Sequence, residues 1–268
     1  GDRMSTDELV AGVLAGDTRA LARAITLIEN GDPAAYAVVR ALYPSTGRTH
    51  AVGITGPPGV GKSSLVSALV AHVRAAGRSV GVISVDPSSP FTRGALLGDR
   101  IRLAEHFLDP GVFIRSMGTR GHPGGLAETT LQALLVLDAA GKEVVFLETI
   151  GSGQSDIGVL TIADTVVLAL QPGSGDAVQA LKAGIMEIPD VIVVNKSDQP
   201  LAAATASDVR QVLALGPAGA PRPPIVQTDA LSGAGIADLW EAIDEHGRSP
   251  GREERRRGNL AAEVFSVA

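Results

Sequence analysis

The sequence predicts a three-layered α/β fold, with a mostly parallel sheet covered by helices on both faces. Three observations predict it. Short β-branched runs alternate with helix-length segments over most of the chain, as strands buried on both faces require. Aromatic residues make up only 3% of the 268 residues, so the core must be built from Val, Ile, Leu and Ala. A glycine-rich segment, Gly56 to Gly61, joins an apolar strand to a helix.

From Ser5 to about Leu42 the apolar residues recur at helical spacing, first Leu9, Val10, Val13 and Leu14, then Leu21, Ala24, Ile25 and Ile28. Ser5 with Glu8 three residues later reads as a capping box. This helical preface breaks at Asn30-Gly31-Asp32-Pro33 and closes at Pro44. The predicted strands are Ala51 to Thr55, Val80 to Val85, Val112 to Ile114, Val144 to Leu147, Thr165 to Leu170, Val191 to Val194 and Ile225 to Val226. The predicted helices between them are Ser63 to Ala76, Leu126 to Ala140, Ala177 to Met186, Ser207 to Leu215 and Ile236 to His246. After Pro250-Gly251, the run Arg252-Glu253-Glu254-Arg255-Arg256-Arg257 reads as a solvated helix face. The expected organisation is a helical extension over 1–48, the α/β domain over 49–247 and a charged extension over 248–268.

Composition excludes several function classes. With 23 basic against 29 acidic residues the formal charge is −6, which speaks against nucleic acid as the main partner. The absence of Cys rules out disulfides, thiolate metal sites and a cysteine nucleophile, and suits a reducing compartment. Every apolar run is cut by Gly, Pro or a charge well short of the roughly 18 to 20 residues that a membrane span requires. Gly1 to Thr6 has no apolar core of the leader kind, so the chain is expected in the cytoplasm. The five histidines, His50, His72, His106, His122 and His246, show no ligand spacing and read as structural or solvated.

The strongest chemical signal is Gly56-Pro57-Pro58-Gly59-Val60-Gly61-Lys62-Ser63, followed by Ser64, which matches the phosphate-loop pattern in its required setting of strand before and helix after. Its glycines let successive N–H groups turn inward toward phosphate oxygens, and the helix presents its positive end to the same anion. Lys62 would reach the β and γ phosphates and the Ser63 hydroxyl would ligate Mg²⁺. Asn195-Lys196-Ser197-Asp198 then names the base, because it ends an apolar strand where α/β sheets place ligand groups. The Asp198 carboxylate, an acceptor only, takes two hydrogen bonds from the N1–H and exocyclic amine of guanine, a donor pair that adenine lacks. Lys196 can lie along the base plane, and Asn195 can tie this loop to the phosphate loop. Thr228-Asp229-Ala230 falls where a Ser-Ala loop packs on guanine in such proteins, with the Ala230 N–H available and Asp229 as a departure.

Two strand ends lie between these motifs. Asp86 closes Val80 to Val85, placing a carboxylate where Mg²⁺ or an attacking water could be held. Glu148-Thr149-Ile150-Gly151 resembles a D-x-x-G element, whose glycine N–H meets the γ-phosphate. Glu in place of Asp favours a water-mediated metal contact over a direct one.

At this point the chain resembles the methylmalonyl-CoA mutase-associated GTPases (the MeaB/ArgK family), also known as lysine/arginine/ornithine transport ATPases. The strings that carry the resemblance are GITGPPGVGKSS (Gly53 to Ser64), VDPSSPFTRGALLGDRIRL (Val85 to Leu103), ETIGSGQSD (Glu148 to Asp156), QPGSGDAVQALKAGI (Gln171 to Ile185) and NKSD. It implies a P-loop GTPase of the signal-recognition-particle-like (SIMIBI) class, slow by itself and stimulated by its partner. The partner implied is a cobalamin-dependent methylmalonyl-CoA mutase, whose cofactor loading and protection the GTPase would gate. It further implies that Asp86, Asp99 and Glu148 surround Mg²⁺, and that Gln171 to Ile185 forms an additional switch in which Asp176 and Lys182 relay partner contact. Where the family has QGIKKG this chain has Gln179-Ala180-Leu181-Lys182-Ala183-Gly184, one lysine and one glycine fewer. A homodimer is implied through a C-terminal helical arm, of which 248–268 would be the start. The alternative reading is an ATPase or kinase of an amino-acid transport system.

Overall fold

The computed structural model describes residues 4–86, 103–118, 125–150, 157–220 and 222–251. Three helices come first, α1 (Thr6–Leu14), α2 (Thr18–Glu29) and α3 (Pro33–Leu42). The order then runs β1 (His50–Thr55), α4 (Lys62–Ala75), β2 (Val80–Asp86), β3 (Val112–Gly118), α5 (Gly125–Ala139), β4 (Val144–Thr149) and α6 (Ile157–Leu160). It ends with β5 (Thr165–Leu170), α7 (Gly175–Lys182), β6 (Val191–Val194), α8 (Ala202–Ala214), β7 (Ile225–Gln227) and α9 (Ile236–Gly247).

The strands form one sheet in the order β3-β2-β4-β1-β5-β6-β7, and every pairing is parallel. This is the predicted α/β architecture. All the connections at the carboxyl ends of the strands therefore open on one edge, where α/β sheets bind ligands. Side-chain alternation divides the core between the faces. Val52, Ile54, Val144, Phe146 and Val167 pack on one face with α4 and α9 residues such as Leu65, Leu69, Leu239 and Ile243. On the other face Ala51, Ile83, Val145 and Leu147 meet Leu134 and Leu137 of α5, with Leu21, Ile25 and Ile28 of α2 in the same cluster. Helices α7 and α8 cover Leu168, Leu170 and Ile192 farther along that face. Among the described residues no helix is long and apolar enough to cross a membrane.

The helical preface folds as its sequence demands. Ser5 and Glu8 form the reciprocal capping box, Asp17 caps α2 and Asp32 caps α3 ahead of Pro33. The preface is tied to edge strand β3 by Arg115, which donates at 2.8 Å to Glu29, a carboxylate only 2% exposed. That pairing explains why β3 runs on to Gly118, beyond the predicted Ile114: Arg115 and Ser116 break the apolar run, yet both lie in register with β2. α8 likewise begins at Ala202, earlier than expected, because an alanine-rich turn without a side-chain cap offers no start signal. α7 stops at Lys182, and Gly184 follows at φ 68°.

At the amino ends of β1 and β5 lie two of the histidines read as structural or solvated. His50 and His246 both hydrogen-bond Thr165 Oγ1, at 2.8 and 2.7 Å, and His246 Nε2 meets Asp190 at 3.1 Å. His106 is buried against Ser67, and His122 lies outside the described residues.

Asp138 of α5 sets the entry into β1. Buried, it accepts the backbone N–H groups of Gly47, Arg48 and Thr49 at 2.8, 3.2 and 3.2 Å. Asp138→Asn turns one acceptor into a donor facing these amides, and should cost about 1–2 kcal/mol, seen as a lower urea midpoint with an unchanged slope.

Candidate nucleotide site

β1 delivers the chain to the carboxyl edge at the centre of the sheet. Gly56 turns there at φ 149°, and a Cβ at this position would lie 2.2 Å from Ala169 O of β5. Only glycine passes. Gly61 caps α4 in the left-handed conformation, φ 88°, with no side-chain cap beside it. A Cβ on Gly61 would meet Asn195 Nδ2 at 2.7 Å, so the Asn195 side chain packs directly on the backbone of the phosphate loop. Val60 is buried and anchors the loop in the α4 face of the core, while Pro58 and Gly59 are exposed. Lys62 Nζ folds back to Gly56 O at 2.9 Å, across the mouth of the loop. Ser64, half-buried, is on the first turn of α4.

The carboxylates converge from neighbouring strands. Glu148 is on β4 in register with Ile54 of β1 and Ser84 of β2, and is 2% exposed. It accepts the Ser63 hydroxyl on one oxygen and Ser84 Oγ on the other, at 3.3 Å for the latter. Asp86 ends β2 beside β4, half-buried. The strand that Glu148 was expected to close therefore contains it, and its side chain is already bonded to the phosphate-loop serine. Asp99 and Gly151 lie outside the described residues. The donors here are hard oxygens and few, and among the described residues no group of three His, Cys, Asp or Glu could hold a metal. Such a set suits Mg²⁺, which takes one or two carboxylates and completes its shell with water and substrate phosphates.

On the far side of the loop, β6 ends in Asn195-Lys196-Ser197-Asp198. Asn195 is 3% exposed and makes three side-chain hydrogen bonds: its Nδ2 donates to Val60 O at 2.9 Å, and its Oδ1 accepts Thr228 Oγ1 and the Ala230 N–H, both at 3.1 Å. One buried amide thus joins three loops. The tie between Asn195 and the phosphate loop is the one expected from the sequence. The Ala230 N–H, expected to face a base, has its partner inside the protein. Asp229 folds onto its own turn, accepting Leu231 N–H at 3.2 Å. Ser197 N–H donates to Thr228 O at 2.9 Å, which leaves the Asp198 side chain exposed at the rim.

Lys196 is the one non-glycine residue with positive φ among the described residues, at 59°. Such a conformation costs on the order of 1–3 kcal/mol and persists where its surroundings impose it. Here the ammonium is held by Gly59 O at 2.7 Å and Gln171 Oε1 at 2.8 Å. Ser84 is the member of this constellation that motif reading passed over, and Gln171 and Thr228 were named only within longer strings, without a role of their own. Ser84 and Thr228 carry a weak signal, a polar residue at or beside the carboxyl end of an apolar strand.

Comparison with known proteins bears on the family and the fold. The model of a family described as methylmalonyl-CoA mutase-associated GTPase MeaB matches residues 21–267. A Pyrococcus abyssi protein named as a GTPase is 49% identical over 269 residues, covering 97% of this chain and 83% of that protein. The mouse mitochondrial methylmalonic aciduria type A homolog is 33% identical over 258 residues, covering 89% of this chain and 62% of the relative. Among solved structures, an LAO/AO transport system kinase superposes with a TM-score of 0.80 at 26% identity, covering 99% of this chain and 85% of the other.

Proposed function

Because the chain belongs to the methylmalonyl-CoA mutase-associated GTPase family MeaB and is a GTPase, we propose that it is a nucleotide-controlled chaperone of a cobalamin-dependent acyl-CoA mutase. The observation that carries the nucleotide part is the Asn195 hub, which joins the phosphate loop, the Asp198 loop and the turn at Ala230 into one cradle. Asp198 takes the N1–H and amine of guanine, and Lys196 lies along the ring. The loop amides and Lys62 neutralise charge on the γ-phosphate as water attacks it in line. An ammonium carries three N–H donors, so the bond of Lys62 to Gly56 O does not keep it from phosphate oxygens at the mouth of the loop. Ser63, Asp86 and Glu148 would hold magnesium, with Asp99 a fourth candidate. The ion, when bound, would neutralise β- and γ-phosphate charge. Glu148 would be oriented for holding it by Ser63 on one carboxylate oxygen and Ser84 on the other.

The mutase reading rests on the family's name and on that of the mouse relative. It makes the GTPase slow alone and faster with the partner, through Gln171 to Ile185. Asp176 and Lys182 are both exposed on α7, directly after the strand that Gly56 crosses. The test mixes the purified protein with a cobalamin-dependent mutase and follows phosphate release. Stimulation of about tenfold or more is expected, an intersite coupling of ordinary size. Lys182→Ala should remove most of it. No stimulation in the unmodified protein overturns the mutase as client; stimulation that survives Lys182→Ala overturns the α7 route. The name of the structural neighbour suggests a kinase of a transport system instead. The acceptor-only Asp198 speaks against adenine, and competition of ATP against bound GDP separates the two readings.

A further inference from the structure

We propose that Gln171 is a positioning residue of the nucleotide site: its side-chain oxygen holds the Lys196 ammonium against the phosphate loop, and so makes the grip on the base depend on where α7 sits. The inference rests on the guanine reading above and extends it to a residue outside both binding motifs.

The contact closes a ring. Asn195 N–H donates to Leu170 O at 2.8 Å, so the end of β5 and the start of the base loop are already side by side. Gln171 is the next residue, and its backbone is pinned at both ends: its N–H donates to Ser174 Oγ and its C=O accepts Ser174 N–H, both at 3.0 Å. That turn leaves only the side chain to reach outward, and Oε1 lies 2.8 Å from Lys196 Nζ. The same ammonium donates to Gly59 O at 2.7 Å. A lysine ammonium has three donors and no preferred direction, so a single acceptor would let it swing. Two acceptors, one after β5 and one in the phosphate loop, fix the stem along which the base would lie. They also hold the backbone of Lys196 in its left-handed conformation.

The regulatory consequence follows from chain order. Ser174, which pins Gln171, is also the residue that starts α7. Any partner that shifts α7 moves this turn, and with it the acceptor that holds Lys196. Nucleotide retention is thereby linked to contact at α7 without a direct contact between partner and nucleotide.

The test uses the full chain and a fluorescent GDP. Gln171→Leu keeps side-chain volume but offers no acceptor, and should speed GDP release by about tenfold, the usual weight of a hydrogen bond to a charged group. The loss should fall on KM and release rate more than on kcat. Gln171→Glu, which restores an acceptor for the ammonium, should return release to near the original rate. Release from Gln171→Leu at the original rate overturns the proposal, as does equal damage in both variants, or a lowered melting temperature that tracks the loss. If the unmodified protein fails to hold GDP, the guanine reading itself falls.

Discussion

Alanine in place of Lys62 should lower GTP hydrolysis by on the order of a hundred- to a thousandfold, the range seen when one preorganised donor to developing charge is removed. The fold should survive. Lys62 is the first residue of α4, half-buried, and alanine is the strongest helix former. The lysine's bond to Gly56 O at 2.9 Å lies within a loop whose shape is also imposed by Gly56 against Ala169 O and by Asn195 on Val60 O. Single-turnover hydrolysis and far-ultraviolet circular dichroism should therefore part company, rate collapsing while helicity holds. If both fall together, Lys62 is a structural residue and the catalytic assignment is wrong.

The second large effect is expected at Asp198. Asn in its place keeps size and exposure but replaces one acceptor with a donor, which then faces a donor on guanine. Two charge-assisted hydrogen bonds are lost or reversed, so GTP affinity should drop by about a hundredfold or more. Xanthosine triphosphate, which has N1–H beside a C2 carbonyl, matches the amide and should bind the variant better than GTP does. Because Asp198 is exposed at the rim, stability should not change. Calorimetry with the three nucleotides decides it: an unmodified protein that binds ATP as well as GTP, or a variant that still prefers GTP, removes Asp198 from base recognition.

How much of this was legible in the sequence depended on whether a signal was local. β5 and β6 have the predicted bounds because Thr165 to Leu170 and Val191 to Val194 are uninterrupted apolar runs ending in polar or turn residues. The phosphate loop and Asn195 to Asp198 were readable for the same reason, each being a short string whose residue types perform the chemistry. β3 was under-read, since Arg115 looks like a strand terminator until Glu29 is seen beneath it. The direct bond between Ser63 and Glu148, and the clamp from Gln171 to Lys196, join residues 85 and 25 positions apart. No local pattern encodes either. Only the sheet order, which sets β4 beside β1 and β6 beside β5, brings those pairs together.

The central position of β1 also bears on how the protein is born. His50 pairs with Val144 and Val52 with Thr165, so both neighbours of this strand are synthesised long after it. Until Leu170 has emerged, Gly56 has no Ala169 carbonyl to cross; until Asn195 follows, nothing seals Val60. The nascent chain thus carries a complete phosphate-loop sequence through most of its elongation without a loop that can bind phosphate. Pairings of such long sequence separation fold slowly and leave apolar strand edges open meanwhile. During that interval β1, buried along nearly its whole length in the finished sheet, stands with both of its edges unpaired.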